Sequence, residues 1–132
     1  MTASNTTPTQ STNKHQADAH YRWWIIAGLI LVCVALYGRT VQYDFISYDD
    51  PSYITQNHLI QQGLTSEGIR SAFTTPHSYN WHPLTTLSHL LDCELFGAEE
   101  AGGHHAVNLL FHAAATVVLF VVLHQMTGSL WP

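Results

Sequence analysis

Positive charge is scarce in this chain: Lys14, Arg22, Arg39 and Arg70 are all of it among 132 residues, against nine Asp and Glu. Phosphate neutralisation on nucleic acid needs clustered Lys and Arg, so no nucleic-acid partner is expected. Charged residues of both signs make up 10% of the sequence, well below the roughly 25% of soluble domains. Cysteine is equally sparse. Cys33 and Cys93 form no CxxC pair and lie in different segments, which argues against a disulfide framework. Residues 1–20 hold no Leu, Ile, Val, Phe or Trp, whereas residues 23–38 hold no charge. A soluble domain distributes its apolar residues periodically; this chain keeps them in blocks.

Two blocks have the composition of membrane spans. The first, residues 21–38, contains the uncharged run Trp23–Gly38, flanked by Tyr21, Arg22, Arg39 and Tyr43. Interfacial aromatics and snorkelling Arg side chains extend such a run to the roughly 30 Å of a bilayer core. Cleavage as a signal peptide is disfavoured because Val34-Ala35-Leu36-Tyr37-Gly38-Arg39 offers no A-x-A site. The second block, Ala106–Leu123, is broken only by Asn108, His112 and Thr116. Asn108 and His112 are four apart and share a helix face, which should meet protein or a wet cavity rather than lipid. Residues 1–20, rich in Thr, Ser, Asn and Gln, read as a disordered cytoplasmic tail. Residues 124–132 read as a cytoplasmic end.

The loop between the spans, residues 39–105, carries eight acids against Arg39 and Arg70. Lys14 and Arg22 precede the first span, which favours a cytoplasmic amino terminus and an outside loop. Thr65-Ser66-Glu67 predicts a helix start, with Ile69 and Phe73 as an apolar pair. A second helix is expected to open at Pro83, carry a broad apolar stripe of Leu84, Leu87, Leu90, Leu91 and Cys93, and end at Gly97. The expected fold class is therefore an all-α membrane protein: two transmembrane helices joined by a long extracytoplasmic loop with short interfacial helices.

Two groups of residues could carry chemistry. In Tyr43-Asp44-Phe45-Ile46-Ser47-Tyr48-Asp49-Asp50-Pro51, paired carboxylates follow the first span among aromatics. Pro51 favours an extended Asp50, which would point Asp49 and Asp50 to opposite faces. A carboxylate at a half-dry interface beside a like charge suits a general base for a hydroxyl; the plain alternative is a solvated turn. Ten histidines, among them His77, His82, His89, His104 and His105, raise the question of metal. On one helix His82 and His89 would stand about 10.5 Å apart, and no HExxH or zinc-finger spacing is present, so no dedicated metal site is expected.

Three motifs in order resemble a known arrangement: Phe45-x-x-Tyr48-Asp49-Asp50, then Ser78-Tyr79-Asn80-Trp81-His82-Pro83-Leu84-Thr85-x-Leu87-Ser88, then His104-His105-x-x-Asn108-Leu109-Leu110-x-His112. The set is similar to the amino-terminal region of the transmembrane-and-tetratricopeptide-repeat proteins, a branch of the GT-C membrane glycosyltransferases related to protein O-mannosyltransferases. The resemblance covers about residues 37–131. It implies a partial GT-C fold in the plasma or inner membrane, with a polyprenyl-phosphate-linked sugar as donor and a hydroxyl, on protein, as acceptor. By the same resemblance Asp49 and Asp50 are the catalytic acids, and Tyr79, His82 and Pro83 contribute to substrate binding. No cofactor is assigned with certainty, and a divalent cation is the one candidate. The family continues into further spans and repeats, so this chain is expected to be a fragment without turnover alone. Its loop offers a phosphate leaving group only Arg39 and Arg70. Two other readings stand beside this one: a small two-span subunit whose acidic loop docks a partner, and a His-rich metal-binding loop.

Overall fold

A computed structural model describes residues 8–77 and 79–128. The start of the expected tail, Ser78 of the second motif and the end of the expected cytoplasmic segment lie outside the described residues. All regular structure among the described residues is helical: α1 (Pro8–Tyr37), α2 (His58–Gln61), α3 (Ser66–Thr74), α4 (Pro83–Phe96) and α5 (Ala101–Thr127), with a 3-10 turn at Gly38–Gln42 and a π-helical turn at Pro51–Thr55. The chain divides into two compact units: the long-helix segments up to Leu36 and from Phe111, and the segment Tyr37–Leu110.

Two helices, each lying largely in the first unit, are long and apolar enough to cross a membrane: His20–Gln42 with 23 residues and Ala101–Thr127 with 27. At 1.5 Å per residue these reach roughly 35 and 40 Å, beyond the hydrocarbon thickness. Only 6% of each apolar window is buried, and Trp23, Trp24, Leu31, Leu36, Leu119 and Leu123 stand exposed. The core helix of a soluble protein would hide those side chains. Small residues make the contact instead: Cys33 and Ala113 are buried, and the Cys33 Sγ lies 3.7 Å from the Thr116 Oγ1.

α1 begins at Pro8, inside the polar stretch expected to be disordered. Its physical cause is cooperativity, because a nucleated apolar helix propagates one hydrogen bond per residue into sequence that would not start a helix. The same effect moves the start of α5 forward from the expected Ala106 to Ala101, which takes His104 and His105 out of the loop and onto a helix. Gly102 and Gly103 cost about 1 kcal/mol each relative to Ala, but α5 could not pass here with larger residues. A Cβ on Gly102 would stand 2.7 Å from the Val41 carbonyl oxygen, and one on Gly103 would enter the Phe96 ring.

The second unit is built on α4. Ile54, Ile60, Leu90 and Cys93 form its buried core, with Phe45, Tyr53, Leu87 and Ala98 packed round it. Asn57 caps α2 by accepting from the Leu59 and Ile60 N–H groups, at 3.2 and 3.4 Å. Thr65 caps α3 by accepting from the Gly68 N–H at 3.0 Å, the start that Thr65-Ser66-Glu67 predicts. The buried face of α3 is not the Ile69–Phe73 pair, which stays exposed, but Gly68 and Ala72. Small size decides it: a Cβ on Gly68 would already meet the Leu90 Cδ2 at 3.1 Å, so this face alone lets the two helices approach. α4 opens with Pro83 in its first turn and ends at Gly97, whose φ of 88° needs glycine. Of its expected stripe, Leu90 and Cys93 are buried and Leu87 half-buried, whereas Leu84 and Leu91 face outward, as does Leu95 beside them.

Candidate functional site

The turn after the first long helix sets the acids. Asp50 has helical backbone angles, φ −55° and ψ −36°, not the extended ones expected before Pro51. The pre-proline clash disfavours that conformation without forbidding it, and local hydrogen bonds outweigh it. The Asp49 carbonyl accepts from the Ser52 N–H at 3.0 Å, the Tyr53 N–H at 3.1 Å and the Ser52 hydroxyl at 2.9 Å. The Asp50 Oδ2 accepts from the Ile46 N–H at 2.8 Å. Asp50 is thereby held as a brace of the turn, and Asp49 is left exposed.

Both acids line a cavity of about 350 Å³ within the second unit. Tyr53 and Ile54 follow from the π-helical turn; His82, Thr85 and His89 come from the start of α4; His104, His105 and Asn108 come from the first turns of α5. The three motifs, far apart in the chain, thus meet at one cavity. His82 stands at the cap of α4, its Nε2 3.5 Å from the Tyr53 hydroxyl, which also accepts from the Asn80 amide at 3.1 Å. Pro83 acts through the backbone, by fixing the first turn of α4 below His82. Tyr79 is outside the cavity wall. It occupies a tight turn closed between His77 and Asn80, with φ of 66° and a fully exposed side chain.

No protein-family model, curated protein or solved structure matches the chain. The chemistry of the site is therefore read from its own atoms.

Behind the cavity sits a buried carboxylate that sequence reasoning did not single out. Asp92 is 1% exposed, in the middle of α4. Its Oδ2 lies 3.9 Å from the His89 Nδ1 and 3.7 Å from the His104 Nδ1, neither close enough for a hydrogen bond. Burial pushes the Asp92 carboxyl above its ordinary range, opposed by His104. Burial likewise holds His89 below its ordinary value, helped by neighbouring His104 and His82 and opposed by Asp50. The Cys93 thiol, buried beside Asp92, is pushed up to about 11. A thiol held there stays protonated and unreactive near neutral pH. The i, i+3 spacing of His89 and Asp92 is a usable signal in the sequence, but the third member, His104, joins them only because α5 starts at Ala101.

Proposed function

We propose that this chain is the site-bearing amino-terminal region of an integral membrane glycosyltransferase that moves a sugar from a polyprenyl-phosphate donor to a hydroxyl acceptor on protein. The observation that carries the reading is the convergence of Asp49, His82 and His104-His105-x-x-Asn108 on one cavity. These are members of the three motifs on which the family resemblance rests. In this reading the second unit lies on the extracytoplasmic side of the plasma or inner membrane, where lipid-linked donors present their sugars.

Asp49 is the general base. It reaches the cavity, and its carboxylate is not the one bound to the turn. It takes the proton from the acceptor hydroxyl as the oxygen attacks the anomeric carbon and the carbon–oxygen bond to the phosphate breaks with inversion. The electron pair leaves on the polyprenyl phosphate. Asp50 is a positioning residue, because its bond to the Ile46 N–H shapes the turn that presents Asp49.

The test is transfer by membranes containing the protein expressed from its natural gene. Polyprenyl-phosphate mannose and glucose, each labelled in the sugar, are offered with a Ser/Thr-rich acceptor peptide. Label should reach the peptide from at least one lipid donor and not directly from a nucleotide sugar when lipid-donor synthesis is blocked. Transfer from the nucleotide sugar under that block contradicts the reading. The outward-facing Leu84, Leu91 and Leu95 favour a second reading, in which α4 docks on a membrane surface or a partner subunit.

A further inference from the structure

We propose that His89, Asp92 and His104 form a binding site for one divalent transition-metal ion at the back of the cavity. One ligand atom from each side chain lies within 4.8 Å of the others. Four-coordinate zinc, with metal–ligand bonds near 2.0–2.2 Å, needs ligand atoms roughly 3.4 Å apart. The 3.7 and 3.9 Å separations from Asp92 are within a few tenths of an ångström of that, and the two imidazole ligand atoms, within 4.8 Å of each other, would close on the ion when it binds.

Tautomer chemistry supports the assignment. The His104 Nε2 lies 3.2 Å from the Gly97 carbonyl oxygen, which can only accept, so Nε2 carries the hydrogen. In neutral His104, Nδ1 is then a bare lone pair, and it faces a carboxylate oxygen. A metal-bound imidazole is commonly fixed in this way, its second nitrogen donating to a backbone carbonyl. The His104 Nδ1, His89 Nδ1 and Asp92 Oδ1 have no hydrogen-bond partner, and His104 and Asp92 are each 1% exposed. Unpartnered polar atoms at that depth are costly unless a cation satisfies them. Two imidazoles and one carboxylate select a zinc-class ion, since magnesium and calcium take mainly oxygen ligands.

His89 and His104 line the cavity and Asp92 lies behind them, so three protein ligands leave a coordination position open toward the cavity. If the function proposed above holds, an ion there adds positive charge beside a departing phosphate in a loop otherwise limited to Arg39 and Arg70. The site itself stands on the ligand geometry and does not depend on that function.

The whole chain, purified in detergent and stripped with chelator, would be titrated with cobalt(II), with zinc used to displace it. One cobalt per chain is expected, with visible bands of a four- or five-coordinate nitrogen–oxygen site. Asp92→Asn and His104→Ala should each weaken binding beyond the roughly 10–100-fold typical of outer-shell losses, and His58→Ala should leave it unchanged. His89→Gln covers the case in which a buried variant fails to fold, because its ring is 17% exposed and on the cavity side. Circular dichroism confirms the fold of each variant. Failure of the folded parent to bind cobalt stoichiometrically, or binding that survives in folded Asp92→Asn or His89→Gln, overturns the site. Stoichiometric binding, with no transfer from either lipid donor by membranes containing the natural-gene product, would keep the metal site and sink the glycosyltransferase reading; transfer by those membranes without stoichiometric binding would do the reverse.

Discussion

Asp49→Asn is expected to lower sugar transfer by roughly 10²–10⁴-fold, the usual contribution of a positioned general base. Asparagine keeps the size and polarity of the side chain but has no basic oxygen at neutral pH. The backbone carbonyl of residue 49, which receives three hydrogen bonds, is unchanged. The variant should therefore fold and bind donor while losing turnover. Asp50→Asn is the discriminating control. Its amide oxygen can still accept from the Ile46 N–H, so the turn survives and the loss should be far smaller. Initial rates with the lipid donor that gives transfer, at saturating peptide, measure both. Equal losses in the two variants would mean that the bound acid and the exposed one have not been told apart by the turn.

Leu90→Ala should unfold the second unit without disturbing the first. Leu90 is fully buried, and its side chain is shared by the core cluster and by the face of α3 at Gly68. Truncating such a residue costs about 2–5 kcal/mol. A domain-sized fold has about 5–15 kcal/mol in total, and this core contains only four buried apolar side chains. Cys93 reports the result directly. With Cys33→Ser removing the other thiol, Cys93 should resist maleimide in the parent, being buried and held protonated. In Leu90→Ala it should react at the rate of the denatured chain. Continued protection would show that the core does not depend on Leu90.

Much of the architecture was legible because it depends on local chemistry. Uncharged runs gave the two long helices, Thr65 and Pro83 gave two helix starts, and Gly97 gave a stop. What remained hidden depends on residues distant in the chain. Ile69 and Phe73 look like a buried pair until the close approach of α4 selects Gly68 and Ala72. Gly102-Gly103 resembles a loop until Val41 and Phe96 are found against it. Asp92 is one of eight loop acids in the sequence, and nothing local announces that His104 will lie beside it. The separation of His82 and His89 along one helix speaks against a metal, whereas the ligand geometry of His89, Asp92 and His104 comes from two helices together. At the acid pair, the proline rule favoured an extended Asp50, and the hydrogen bonds of the π-helical turn overrode it.

Motifs distant in sequence enclose one cavity, and cross-linking between them probes that placement. Cysteines would replace Asp49 and His105 together, in a chain with Cys33→Ser and Cys93→Ala, and a short bifunctional thiol reagent would be added under native conditions. The account predicts an intramolecular cross-link between positions 49 and 105 that disappears when Leu90→Ala is introduced. Two thiols that each react singly but never join to one another would contradict it.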